Sequence, residues 1–79
     1  MKDKILIDLT KIFKGYFNRN NIKLNRRTTS RDIKGWDSLA QVGLILMIEK
    51  KYKIQFSLRD IENLKNVGEM VDLIKKCKR

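Results

Sequence analysis

Gly35-Trp36-Asp37-Ser38-Leu39 is the stretch of this 79-residue sequence in which a polar segment turns into a strongly apolar one. Aspartate caps helix N-termini well, so we expect Asp37 to be the cap of a helix that begins at Ser38. The first turn of a helix leaves backbone N–H groups unpaired, and with the helix dipole they favour an anion. A phosphate-linked group on the Ser38 hydroxyl would suit this position. The tripeptide alone also fits an ordinary helix start.

The residues that follow Ser38 form two apolar stripes when they are placed at about 100° per residue. One stripe contains Leu44, Ile45, Ile48 and Tyr52, and the other contains Leu39, Val42 and Leu46. We expect the first stripe to meet the core and the second to be a docking surface or a shelter for an attached chain. The alternative is a central helix with neighbours on both sides, and the pattern alone favours neither arrangement.

The first half of the chain predicts one amphipathic helix and one long loop. Apolar residues recur at helical spacing from about residue 3 to 17, at Ile5, Leu9, Ile12, Phe13 and Tyr16. The polar segment from Asn18 to Trp36 contains isolated apolar residues, namely Ile22, Leu24, Ile33 and Trp36. Because a long loop needs anchors, we expect these side chains to hold it against the core.

The last third of the chain carries two helix-start signals. Ser57 with Asp60 resembles a capping box that opens a brief helix containing Ile61 and Leu64, and Asn66 with Glu69 repeats the arrangement. The final helix has a buried stripe and a basic end that complements its dipole. The stripe is Val67, Met70, Val71 and Ile74, and the basic residues are Lys75, Lys76, Lys78 and Arg79.

These elements predict an all-α fold, a small four-helix bundle of three longer helices and one short helix with a long first loop. Residues 1–79 leave room for one domain. The chain has one cysteine, Cys77, and no histidine, so neither an internal disulfide nor the usual zinc ligands and general base are expected. No apolar run reaches the roughly twenty residues of a membrane span, and Asp8 interrupts the first one too early for a signal peptide. We therefore expect a cytoplasmic protein that is not an enzyme and holds no metal.

The segment 32–45, Asp-Ile-Lys-Gly-Trp-Asp-Ser-Leu-Ala-Gln-Val-Gly-Leu-Ile, resembles the prosthetic-group segment of acyl carrier proteins. The resemblance continues through residues 46–54, 56–58 and 64–74, so it covers most of the chain and is weakest in the first third. The spacing from the serine to the last two helices makes it much more specific than the tripeptide. The version with Gly-Trp before Asp-Ser-Leu is closer to stand-alone specialised carriers than to the principal fatty-acid carrier.

The resemblance implies a carrier mechanism. A phosphopantetheinyl transferase would attach 4'-phosphopantetheine from coenzyme A to Ser38, and Asp37 would cap the helix and aid transferase recognition. The arm would hold an acyl group as a thioester for an acyl-activating ligase and for acyltransferase or synthase enzymes of a fatty-acid, polyketide or other specialised pathway. Aminoacyl or peptidyl cargo is an alternative, and a monomer is the usual state of the family. The docking residues would be Leu39, Val42, Leu46 and Glu49.

The charge of the chain departs from the family, most of whose members are acidic. Nineteen Lys and Arg against nine Asp and Glu give a formal net charge of +10. This balance argues against recognition through an acidic helix and favours partners with apolar or acidic docking surfaces. It also raises an alternative function, a small basic helical module that binds nucleic acid or an anionic surface. Nucleic acid is the less favoured partner, because the basic residues form no reading helix and no aromatic residues alternate with them.

Overall fold

The computed structural model describes residues 4–77, and every regular element within them is a helix. The helices are α1 (Lys4–Phe17), α2 (Ser38–Tyr52), α3 (Leu58–Glu62) and α4 (Val67–Cys77). The predicted all-α fold, with three longer helices, one short helix and a long first connection, is confirmed. The expected start of α1 near residue 3 and the basic residues Lys78 and Arg79 lie outside the described residues. Over residues 4–77 no helix combines the length and the apolarity that crossing a bilayer requires.

The core lies among α1, α2 and α4 and is closed by residues of the long loop. The expected stripes of α1 and α4 are buried, except that Tyr16 at the end of α1 is partly exposed. The buried apolar residues are Ile5, Leu9, Ile12, Phe13, Ile22, Ile33, Ala40, Leu44, Ile45, Ile48, Val67, Met70, Val71 and Ile74. Apolar burial of this kind is the main favourable term in folding a domain of this size.

The helix ends follow the local signals of the sequence. Asn18 follows α1 with a φ of 54°, and Lys53 follows α2 with a φ of 57°, so both helices end in the left-handed conformation. The Ser57 hydroxyl accepts a hydrogen bond from the Asp60 amide at 3.1 Å, as the predicted cap requires. The short helix is briefer than expected: α3 ends at Glu62, and Leu64 packs against the core from beyond the helix end.

The long loop is fixed to the start of α4 through its backbone. The amides of Val67 and Gly68 donate to the carbonyls of Thr28 and Arg26, each at 2.9 Å. These bonds satisfy two of the N–H groups that a helix N-terminus leaves unpaired. The Arg26 guanidinium also lies 2.8 Å from the Asp72 carboxylate. The loop anchors Ile22 and Ile33 are buried, as predicted, so the segment that leads to α2 is held from several sides.

Candidate functional site

Ser38 is the first residue of α2, and its side chain is exposed. Asp37 before it has the extended backbone of an N-cap, with φ −110° and ψ −168°. Its Oδ1 accepts from the Ala40 amide at 2.9 Å, and its carbonyl accepts from the Gln41 amide at 2.9 Å. The cap that the sequence predicts at Asp37 is therefore present, and it leaves the Ser38 hydroxyl at the positive end of the helix.

Gly35 and Arg19 shape the turn that leads to Ser38. Gly35 has a φ of +93°, and the Asp37 amide donates to the Gly35 carbonyl at 3.0 Å. A Cβ atom on Gly35 would lie 3.3 Å from an Arg19 guanidinium nitrogen and 3.6 Å from the Phe17 ring. The Arg19 guanidinium donates to the Lys34 carbonyl and lies 5.5 Å from the centroid of the Phe17 ring. Both the positive φ and the crowding favour glycine at this turn.

Trp36 connects the turn to α1 and to the first turns of α2. Its ring meets Phe13 edge-on, with centroids 5.0 Å apart and planes at 83°. Its Nε1 donates to the Gln41 Oε1 at 2.7 Å. Sequence reasoning found Trp36 as a loop anchor but missed Gln41, because no local pattern identifies the partner of an indole N–H. The pair fixes the residues on either side of Ser38.

The second apolar stripe of α2 faces solvent. The exposed fractions are 77% for Leu39, 53% for Val42 and 59% for Leu46, whereas Leu44 and Ile48 of the first stripe are fully buried. We call Leu39, Val42 and Leu46 the exposed apolar face. The structure thus decides between the two arrangements that the sequence left open. The role of this face in docking stays a prediction.

Leu58 and Met47 are two further exposed apolar residues, and sequence reasoning placed neither on an exposed face. Leu58, the first residue of α3, is 71% exposed, and Met47 of α2 is 38% exposed. No local pattern distinguishes Leu58 from a core leucine, because its exposure depends on how the chain packs around α3.

Glu49 differs from the other residues expected to dock partners. It is half-buried, and its Oε2 accepts from the Phe56 amide at 2.8 Å. Its carbonyl also accepts from the Lys53 and Ile54 amides at the end of α2. Glu49 therefore fixes the link that follows α2, and its docking role remains a prediction.

A cleft of about 500 Å³ opens beside Ser38. Val42 of α2, Leu58 of α3 and Met70 of α4 contribute apolar atoms to it. Its charged lining residues are Asp37, Glu62 and Lys65. The exposed hydroxyl of Ser38 at its edge fits a flexible group attached there, because the cleft is open and mostly apolar. Among residues 4–77 there is no cluster of three or more residues that could hold a metal ion.

The family profile described as phosphopantetheine attachment site matches residues 8–74. The chain is 29% identical over 73 residues to the acyl carrier protein of Exiguobacterium sibiricum, and the match covers 92% of each chain. It is 44% identical to the holo acyl carrier protein of Geobacter metallireducens, solved by NMR, with a TM-score of 0.86 over 91% of this chain and 83% of that one.

An acyl carrier protein of Thermotoga maritima, known from a crystal structure, has a TM-score of 0.83 over 94% of this chain and 86% of its own, at 16% identity. At that identity the likeness shows the fold alone. The family profile, by contrast, spans most of the chain and includes α2 and its cap. The chain belongs to the phosphopantetheine-attachment family of acyl carrier proteins, whose prosthetic group is covalently bound 4'-phosphopantetheine.

Proposed function

We propose that this chain is a single-domain carrier that holds an acyl group as a thioester on a 4'-phosphopantetheine arm attached to the Ser38 oxygen. The carrier presents the group to enzymes of a fatty-acid, polyketide or other specialised acyl-transfer pathway. One observation carries the proposal: the exposed Ser38 hydroxyl stands at the first residue of α2, at the edge of the cleft and next to the exposed apolar face.

The first turn of α2 suits a phosphodiester at Ser38. Asp37 uses the Ala40 amide for its cap, so the amides of Ser38 and Leu39 remain available to phosphate oxygens. The pair formed by Trp36 and Gln41 holds the turn on one side of the serine and the helix on the other. The chain thereby supplies a fixed hydroxyl in a field that favours an anion.

In the loading step a separate transferase brings coenzyme A to Ser38. The Ser38 Oγ forms an ester bond to the phosphorus that bears the pantetheine, and the bond from that phosphorus to the bridging oxygen breaks. Adenosine 3',5'-bisphosphate leaves, and the hydroxyl proton passes to the transferase or to solvent. When attached, the group supplies a thiol at the end of a flexible arm, and tethering raises the concentration of its cargo at each docked enzyme.

We propose that partner enzymes dock on the exposed apolar face. Leu39, Val42 and Leu46 bury little area within the chain, and each projects from the helix that begins at the attachment residue. A partner that covers this face therefore receives the arm at its own active-site entrance. We include Asp37 as a recognition residue for the transferase, because one of its carboxylate oxygens is left over from the cap.

Intact mass tests the proposal. The chain is incubated with coenzyme A, magnesium and a promiscuous phosphopantetheinyl transferase, and we expect a gain of one phosphopantetheine group. Ser38→Ala should gain nothing and keep its helical circular dichroism. Ser30→Ala is the matched control, because Ser30 lines the same cleft and should load as the parent chain does. Loading of Ser38→Ala, or no loading of the parent chain by several transferases, would refute the assignment.

The loaded chain then tests the class of cargo. Holo protein is offered acyl, aminoacyl and peptidyl donors with their activating enzymes, and the mass of the thioester is measured. We expect acyl groups to be retained on the arm and to be released by hydroxylamine, which cleaves thioesters. If the holo chain accepted only aminoacyl or peptidyl groups, Ser38 would remain the attachment residue, but the proposal of acyl cargo would be wrong.

A further inference from the structure

A lysine side chain, Lys50, lies beyond the exposed apolar face of α2, towards the C-terminal end of the helix. At about 100° per residue, Lys50 falls about 20° from Leu39 and about 40° from Leu46 around the helix. Its side chain is exposed. A partner that covers Leu39, Val42 and Leu46 therefore also meets the Lys50 ammonium one turn further along.

The acidic residues of α2 and its cap keep their negative charges, and each also accepts a hydrogen bond within the chain. At about 100° per residue Glu49 falls about 20° from Val42, but it is half-buried whereas Lys50 is exposed. Glu49 is the one acidic residue between positions 38 and 52, and the Phe56 amide holds its Oε2 at 2.8 Å. Asp37, just before the helix, uses one oxygen for its cap. Asp37, Glu62 and Lys65 line the cleft beside the face, so the cleft itself carries one more negative charge than positive. The positive charge that favours an acidic partner is therefore the exposed Lys50 side chain, together with the net charge of +10 on the whole chain.

We propose that the exposed apolar face docks enzymes whose recognition surface is an apolar depression rimmed by Asp and Glu side chains, with Lys50 setting this preference. The inference rests on the proposed carrier function and names the chemistry of its partners. Complementary charge speeds encounter and excludes partners of the wrong sign, while the three apolar side chains supply the buried contact.

The face favours a protein over a nucleic acid or an anionic membrane. A polyanion gains from many cations on one surface, whereas Lys50 is the one basic residue within α2 that falls close to the line of Leu39 and Leu46. Apolar side chains that project singly from a helix match the pockets of a folded partner. The charge then acts at the rim of a contact that is mainly apolar.

Two helical peptides serve as probes in the test. They share one row of leucines, and the flanking positions are Glu in one peptide and Lys in the other. Each is titrated into the loaded chain, and amide chemical shifts give the site and the Kd. We expect the Glu peptide to bind about fivefold more tightly at low salt, with shifts centred on α2, and the ratio to fall towards one at high salt.

Charge variants identify Lys50 as the source of the preference. Lys50→Glu should remove or reverse the preference for the Glu peptide, and Leu46→Ala should weaken the binding of both peptides. Lys23→Glu is the matched control: it makes the same change in net charge on the long loop, beside a separate shallow cleft, and should leave the ratio nearly unchanged.

Three results would overturn the inference. The Lys peptide could bind as tightly as the Glu peptide, or Lys23→Glu and Lys50→Glu could change the ratio of the two Kd values equally. The third is that neither peptide changes the amide chemical shifts of α2. The mass experiment on the same samples separates this inference from the carrier function. A chain that loads but prefers no acidic peptide refutes only the charge preference, whereas a chain that does not load refutes the carrier function itself.

Discussion

Gly43 is the position at which we expect a small substitution to reveal how closely α1 and α2 approach. A Cβ atom on Gly43 would lie 2.5 Å from Cε1 of Tyr16 and 2.9 Å from its Cζ and hydroxyl oxygen. Gly43→Ala should gain about 1 kcal/mol in helix propensity. It should lose about 1–3 kcal/mol to overpacking, because the Tyr16 ring must leave its place. We expect the net effect to lower the free energy of unfolding by up to about 2 kcal/mol.

A double-mutant cycle with Tyr16→Ala isolates the contact. Without the ring, Gly43→Ala should raise the free energy of unfolding by about 1 kcal/mol, since only the propensity gain remains. The coupling between the two positions should then be about 1–3 kcal/mol. Urea denaturation followed by circular dichroism at 222 nm, the usual α-helical band, measures all four proteins, and equal m-values would support a two-state comparison.

Gly15→Ala is the control for helix propensity alone. Gly15 lies in α1, and a Cβ atom there would meet nothing within 4 Å. It should therefore stabilise the chain by about 0.5–1 kcal/mol. If Gly43→Ala stabilised the parent chain as much as it stabilises the Tyr16→Ala background, the Tyr16 ring would not fill the space above Gly43. The reasoning on this approach of the two helices would then be wrong.

Two further substitutions test the start of α4 and the start of α2. Gly68→Ala should lower the free energy of unfolding by about 1–3 kcal/mol in urea denaturation, because its Cβ would lie 2.8 Å from the Arg26 carbonyl oxygen, a backbone atom that cannot turn away; an unchanged midpoint would contradict this contact. Asp37→Ala should cost about 1 kcal/mol through loss of the bond to the Ala40 amide, and Asp37→Asn only a few tenths. Slow loading of Asp37→Asn at unchanged stability would support transferase recognition, whereas parent-like loading would leave Asp37 as a cap alone.

The helices could be predicted because their signals are local. Asp37 and Ser57 are caps that act within three residues, and the apolar periods of α1 and α4 lie within single elements. The long loop was predicted from the polarity of residues 18–36, and its buried anchors Ile22 and Ile33 follow from the same pattern. Signals of this range need no knowledge of which elements become neighbours.

The remaining features depend on contacts between distant residues. From the sequence alone, Gly43 is only a residue of low helix propensity within α2. Its close approach to the Tyr16 ring is visible only in the structure. From the sequence alone, Glu49 is expected to be a charged surface residue. In the structure the chain turns at Lys53, and the Phe56 amide donates to the Glu49 carboxylate. Leu58 cannot be distinguished from a core leucine, because its exposure depends on what covers α3. In each case the residue can be identified in the sequence, but what it contacts can be identified only from the tertiary fold.

The net charge of the chain and the exposed apolar face act together. Leu39, Val42 and Leu46 are each more than half exposed, and an apolar row of this kind favours contact between copies of the chain. Every copy carries a formal charge of +10, so two copies repel one another as they approach. A partner of opposite charge meets no such barrier. Under the proposed docking, the same positive charge that opposes self-association would favour an acidic partner, so partner choice should respond to salt more strongly than the fold does.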